Sequence, residues 1–304
     1  GLSLKENLAT KTISAHTNFL DYTPDVWESS KITDADPNDS NNVLLIYGWE
    51  NRSDGDVTND LSRSKNNNGG DLGDWNREHT FANSLAVPKL DNSGRNGTSF
   101  SDAHNLRASD VQRNGLRGNM LFAAGSGNSG AVGSNWYPGD ATAGGTDWRG
   151  DVARVTMYMY LRYGNQCLPR YNASGNINSI DPEMIDLLLE WNAADPVSDY
   201  EDARNTHHES ESTYAQGNRN PFIDNPYLAT RIWGGTPAED RWGIYTSNDN
   251  EAPTTPTNVT LSNSSPSSID VSWSASSDNV AVTSYEIYVD GSLNGNTSNT
   301  NYTI

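Results

Sequence analysis

An α+β fold is predicted for the chain: a mainly helical domain with long loops over residues 1–248, a linker at 249–256 and a partial β-sandwich module at 257–304. Three observations lead there. Apolar residues recur at helical spacing near the N-terminus and again between Asp151 and Trp191. Long runs of Asn, Asp, Ser and Gly interrupt them, and beyond Asn248 the composition changes abruptly to alternating, Ser- and Thr-rich segments.

Taken in order, residues 2–20 mix polar and apolar positions as a helix does, and Thr23 to Trp27 reads as the turn into the next element. The run Asn42-Val43-Leu44-Leu45-Ile46-Tyr47 is short and β-branched, which favours a strand. Residues 49–74 read as an exposed loop, and 125–150 as a Gly-rich one anchored by Trp136, Tyr137 and Trp148. Asp151 to Tyr163 has helix length and stops at Gly164, and Pro182 to Trp191 gives a second helix with proline in its first turn. Asn218 to Trp242 is read as an ordered segment folded back on the core.

The final segment contains Ser268-Ile269-Asp270-Val271-Ser272-Trp273 and Ser284-Tyr285-Glu286-Ile287-Tyr288-Val289. It resembles the first strands of a fibronectin type III module, with Trp273 in the place of the core tryptophan. A whole sandwich of that kind needs about 100 residues, so the module is expected to be truncated, poorly ordered at its unpaired edges and without a part in chemistry.

Bulk properties bound the function. Hydrophobic residues are 34% of the 304 and aromatics 9%, with mean hydropathy −0.73. No stretch approaches the roughly 20 apolar residues of a membrane span. The lone cysteine, Cys167, excludes an internal disulfide framework and a cysteine-based zinc site and is expected to be a buried apolar residue. A formal net charge of −19 argues against a nucleic-acid partner in bulk, although it suits salty surroundings that screen distant charges. The chain begins at Gly1 with no charged-then-apolar segment before it, which fits a processed or trimmed form and leaves localisation unread.

Chemistry concentrates between Asp74 and Asn119. Arg77-Glu78-His79 sets a guanidinium, a carboxylate and an imidazole side by side. In an ideal strand Glu78 and His79 point to opposite faces, so they share a site only if the chain bends or the ligand sits at the strand end; a surface Arg-Glu pair beside a satisfied histidine is the plainer alternative. Downstream, Ser109 followed by Gln112 fits a capping box, which starts a helix at Ser109 and puts Asn114 in its second turn. A side-chain amide oxygen with a carboxylate and waters suits Mg²⁺, Mn²⁺ or Ca²⁺ better than zinc.

Together with His104-Asn105-Leu106 and Asn114-Gly115-Leu116-Arg117-Gly118-Asn119, the tripeptide resembles the endonuclease I family, part of the wider group of nucleases built on a ββα-metal, or His-Me finger, motif. The likeness extends more loosely from about Leu4 to Trp242. It implies a helical nuclease domain with a ββα-metal core, His79 as general base and Glu78 and Asn114 as ligands of one divalent ion, Mg²⁺ with Mn²⁺ or Ca²⁺ as alternatives. The family's phosphate-steadying arginine is matched to Arg95, with Arg77, Arg107, Arg113 and Arg117 as alternative phosphate contacts, each of which could equally be a solvated or structurally paired arginine. Asn105 and Asn119 support the site by orienting His79 or bracing the loop, and His104 is structural. The resemblance also implies a secreted, monomeric enzyme that cuts DNA, with RNA open, to 5′-phosphate and 3′-hydroxyl ends.

Local charge favours the same region, since residues 77–117 hold six Lys or Arg against four Asp or Glu, a net of +2. Few phosphate contacts imply loose, sequence-independent, salt-tolerant binding. Two rivals stand beside this reading. A zinc hydrolase would use His207-His208-Glu209 with Glu211, yet lacks a His-Glu-x-x-His helix. A non-catalytic extracellular adhesin would suit the acidic loops and the tail, yet leaves Arg77-Glu78-His79 and Asn114 unexplained.

Overall fold

A computed structural model describes all residues except 52, 53, 92–98, 211, 246–251, 279–281 and 283. The chain divides into two compact units, Gly1–Arg241 and Trp242–Ile304.

In the first unit, helix α1 (Leu2–Ala15) is followed by α2 (Asp25–Thr33). A three-stranded antiparallel sheet comes next, β1 (Ala35–Asp36), β2 (Asp39–Leu44) and β3 (Ser62–Ser64), in the order β1-β2-β3. The predicted strand 42–47 is thus split: pairing in this sheet ends at Leu44, and the continuation turns to a new partner, Ile46 N–H donating to the Ala108 carbonyl at 2.8 Å. The stretch 49–74 is not all exposed loop, because it contributes β3, whose Arg63 is buried.

Strands β4 (Trp75–His79) and β5 (Leu106–Asp110) pair antiparallel, with Trp75 opposite Asp110 and His79 opposite Leu106. Helix α3 (Val111–Arg117) leaves β5 directly. Its cap is Asp110, whose carboxylate accepts from Arg113 N–H, and not Ser109 as the capping pattern suggested. Pairing opposite Asn76 holds Ser109 in the strand and moves the helix start along.

A short hairpin, β6 (Gly130–Val132) and β7 (Asn135–Tyr137), precedes the central helix α4 (Arg149–Tyr163). Residues 150–161 of α4 are all buried, as expected of a helix enclosed on every side. It stops where the sequence indicated, at Gly164, whose φ of 54° is the left-handed conformation that glycine tolerates. After α5 (Pro169–Asn172), helix α6 (Asp186–Ala194) begins later than the expected Pro182. A bridge between Ile185 and Ile177 keeps the intervening residues out of the helix. Helix α7 (Asp199–Glu209) opens with a capping box of Ser198 and Glu201, and α8 (Pro221–Asp224) and α9 (Tyr227–Trp233) fold back over α4 and α1.

Phe81, Leu90, Val155, Tyr158, Met159 and Cys167 form one apolar cluster under the β4 end. Burial pushes the Cys167 thiol pKa up, in keeping with an inert core residue. Buried ion pairs reinforce the packing. Arg107 lies between Asp34 (3.1 Å) and Asp151 (2.8 Å), Arg204 also reaches Asp34 (2.8 Å), and Arg154 makes a two-pronged pair with Glu201 at 2.6 and 2.8 Å.

The second unit contains β8 (Thr257–Ser265), β9 (Ser268–Ser274), β10 (Tyr285–Val289), β11 (Ser292–Thr297) and β12 (Asn301–Thr303). They form a sheet ordered β12-β9-β8 and a β10-β11 hairpin. Trp273 and Tyr285 meet edge to face at 5.1 Å.

Removing one partner of a buried ion pair strands the other charge. Glu201→Ala is therefore expected to destabilise the first unit by about 3–5 kcal/mol, read as a lowered denaturant midpoint; a change within about 0.5 kcal/mol, typical of surface sites, would contradict the packing described.

Candidate active site

Strand β4 ends at His79, and this is how two neighbours on opposite strand faces come to serve one place. Just past the end, Asn105 closes the chain over: its carbonyl accepts from Thr80 N–H at 3.0 Å, its Oδ1 from Phe81 N–H at 2.7 Å, and its Nδ2 donates to the Phe81 carbonyl at 3.1 Å. Asn105 thus braces the turn and does not touch the His79 ring by any of these bonds. Arg77, Glu78, His79 and Asn114 line one pocket of about 410 Å³, shared with Asn83, Ser84 and Asn119.

His79 Nε2 lies 2.8 Å from the Phe100 carbonyl. A carbonyl oxygen only accepts, so Nε2 carries the proton and Nδ1 keeps its lone pair. The ring clusters with those of Tyr22 (5.8 Å) and Phe100 (4.6 Å), which also contact each other at 4.6 Å. Burial pushes its pKa down to about 4, and the Arg77 and Arg117 guanidinium groups press the same way against the Phe100 carbonyl. At neutral pH the imidazole is neutral, the form a general base requires.

Glu78 is 2% exposed. Its Oε1 accepts from the Tyr47 hydroxyl at 2.9 Å and from Arg117 Nη1 at 3.1 Å; among the described residues no hydrogen bond reaches Oε2. Burial raises its pKa, opposed by Arg117. Asn114, the fourth residue of α3, donates from Nδ2 to Asn76 Oδ1 at 2.7 Å, which leaves its Oδ1 for the pocket. A carboxylate oxygen and an amide oxygen facing one cavity form a hard donor pair that suits Mg²⁺, Mn²⁺ or Ca²⁺ with water completing the shell. Among the described residues no group of three or more His, Cys, Asp or Glu could hold a metal.

The arginines separate sharply. Arg77 lines the pocket with its guanidinium stacked 3.6 Å from the Tyr22 ring and 4.0 Å from Trp27, and its Nη1 donates to the Tyr22 carbonyl and to Thr23 Oγ1. Of the two alternatives open for Arg107, Arg113 and Arg117, phosphate contact or structural pairing, all three have internal partners. Arg107 is buried between Asp34, Asp151 and Tyr200; Arg113 donates to the Thr58 and Ser129 carbonyls under Trp49; Arg117, fully buried, donates to Glu78, to the His79 and Thr80 carbonyls and to Asn172 Oδ1. Much of the local positive charge is consequently internal. Arg95 lies outside the described residues. Asn119 lines the pocket and donates to Ser84 Oγ at 3.2 Å.

His104 is buried, with Nε2 3.1 Å from the Asn218 carbonyl and its ring 4.5 Å from that of His208. His208 is fully buried, whereas His207 bonds the Tyr214 carbonyl at 3.2 Å, so the two adjacent rings of α7 face different surroundings. Tyr47, Asn76 and the Phe100 carbonyl were not anticipated as parts of the site. Nothing in their local sequence distinguishes them; they become legible only once the chain is folded.

Because falling pH must pass about 4 before the ring gains a proton, His79 in the metal-free protein should remain neutral, with its proton on Nε2, at pH 5.5. Two-bond ¹H–¹⁵N correlation spectra of the imidazoles would report this; a ring half-protonated near 6.5, the unperturbed value, would contradict the burial and tautomer assigned here.

Comparison with known proteins identifies the family. The family model described as Endonuclease I matches residues 1–227. The extracellular ribonuclease of Bacillus subtilis (strain 168) is 43% identical over 242 residues, covering 77% of this chain and 75% of that protein. The extracellular ribonuclease of Bacillus amyloliquefaciens is 40% identical over 239 residues, with 77% and 74% covered. The chain belongs to the endonuclease I family and is a nuclease, a hydrolase of phosphodiester bonds.

Proposed function

We propose that the protein is a secreted, monomeric, divalent-metal-dependent endonuclease that cuts DNA and RNA without sequence preference. The observation that carries this reading is the pocket in which His79 Nδ1, Glu78 Oε2 and Asn114 Oδ1 are all uncommitted while their partner atoms are tied down. The β4–β5 pair running into α3 supports the reading of a ββα-metal core. Secretion is supported by the two relatives, both named extracellular, and no helix of the described residues is long and apolar enough to cross a membrane.

Glu78 and Asn114 would hold the ion, Mg²⁺ first and Mn²⁺ or Ca²⁺ as alternatives; when bound, it would offset negative charge growing on the phosphate and the departing 3′ oxygen. His79 Nδ1 takes a proton from water as the water oxygen bonds to phosphorus. The bond to the 3′ oxygen breaks, that oxygen takes a proton from solvent water, and the products are 5′-phosphate and 3′-hydroxyl ends, with the proton on His79 later passing to solvent. Arg77, stiffened by its two aromatic neighbours, is the phosphate contact among the described arginines that line the pocket. Because water attacks, no 2′-hydroxyl is needed, so the step is open to a ribose and to a deoxyribose backbone. With Arg107, Arg113 and Arg117 internal, phosphate contacts are few and the salt slope shallow.

Digestion of supercoiled plasmid and of single-stranded RNA, with MgCl₂ or with excess EDTA, checks the reading. Both polymers should be cut only with the metal, and His79→Ala should lose about 10²–10⁴-fold in rate, the usual worth of a general base. Cleavage that persists in EDTA, or survives the substitution, would contradict it.

A further inference from the structure

We infer that Tyr47 and Arg117 act as a clamp on Glu78, filling both acceptor directions of Oε1 so that the carboxylate can meet a cation only through Oε2; they are positioning residues for metal capture. The inference rests on the reading of Glu78 as a metal ligand. Each carboxylate oxygen offers about two lone-pair directions. On Oε1 they are taken by the Tyr47 hydroxyl at 2.9 Å and Arg117 Nη1 at 3.1 Å. A single-oxygen ligand suits the strict octahedral geometry of Mg²⁺ and disfavours the two-oxygen mode that a larger ion such as Ca²⁺ accepts.

Both donors are held more firmly than ordinary packing requires. Tyr47 has φ 74°, a left-handed conformation unusual for a bulky side chain, and its carbonyl is fixed by Ser129 Oγ at 2.6 Å. Such a conformation persists where surroundings impose it, and it often marks a functional site. Arg117 lies three residues after Asn114 on α3, on the same side of the helix, so one helix delivers the amide ligand and the guanidinium that aims the carboxylate ligand. The same guanidinium also donates to the His79 carbonyl at 3.0 Å, fixing the general base through its backbone. Phe122 supports both donors, its ring 6.3 Å from that of Tyr47 and its centroid 4.5 Å from Arg117 Cζ.

The test is Mn²⁺ binding to the full chain by isothermal titration calorimetry, in wild type, Tyr47→Phe, Arg117→Lys and Glu78→Gln, alongside plasmid cleavage as a function of Mn²⁺. Wild type should bind one ion and Glu78→Gln should lose it. Tyr47→Phe, which keeps the ring and removes one hydroxyl, should weaken binding about 10-fold, the lower end for such supporting groups, with an activity deficit that shrinks as Mn²⁺ is raised. Arg117→Lys should weaken it further if the variant folds; Tyr47→Phe decides the question if it does not. Unchanged Mn²⁺ affinity in Tyr47→Phe beside a wild type that binds would overturn the clamp alone. A wild type that binds no Mn²⁺ would overturn the metal reading of the site and the clamp with it.

Discussion

The buried guanidinium of Arg117 is the constraint on which the site depends. From one position near the end of α3 it reaches the Glu78 carboxylate, the carbonyls of His79 and Thr80 at the close of β4, and the Asn172 side chain at the end of α5. Glu78 and His79, which would diverge as alternating strand residues do, can face one place because β4 ends at His79 and Asn105 closes the chain beyond it; Arg117 adds a tie at that end. With it, the end of β4 is fastened to the helix that carries Asn114, and three side chains from two elements face one pocket. The cost of burying the charge is offset by the Glu78 carboxylate and by the acceptors around Nη1 and Nη2, while Nε has no hydrogen-bond partner among the described residues.

The same principle runs through the rest of the first unit. Arg107, Arg154 and Arg204 are internal, paired with Asp34, Asp151 and Glu201, and they join β5, α4 and α7 around the residues just after α2. A chain of net charge −19 therefore places several of its cations where substrate cannot reach them. In the reading proposed above, recognition of a polyanion by such a protein would fall to a small patch, centred on Arg77 and the oxygens of Glu78 and Asn114, which would favour backbone contact over base reading.

How far the sequence shows this depends on whether the information is local. Glu78, His79 and Asn114 stand in contiguous motifs, and the helix ending at Gly164 is marked by its own glycine, so these could be read directly. The arginines could not be sorted, because sequence displays charge and not burial: Arg77 and Arg107 look alike until one is found stacked at a pocket and the other sunk between two carboxylates. Tyr47 lies 31 residues from the carboxylate it holds, at the end of an apolar run that signals only a strand. The α3 cap slipped from Ser109 to Asp110 because both residues can cap and strand pairing with Asn76 claimed the first. The start of α6 moved for a similar reason, the bridge of Ile185 to Ile177 outweighing the proline signal.

In the proposed mechanism Glu78 and Asn114 present one oxygen each to a single divalent ion beside the neutral His79. Anomalous diffraction from crystals grown with Mn²⁺ tests it most directly. One peak is expected, within bonding distance of Glu78 Oε2 and Asn114 Oδ1, with Oε1 still held by Tyr47 and Arg117; a peak bound elsewhere, or one bridged by both oxygens of Glu78, would contradict it.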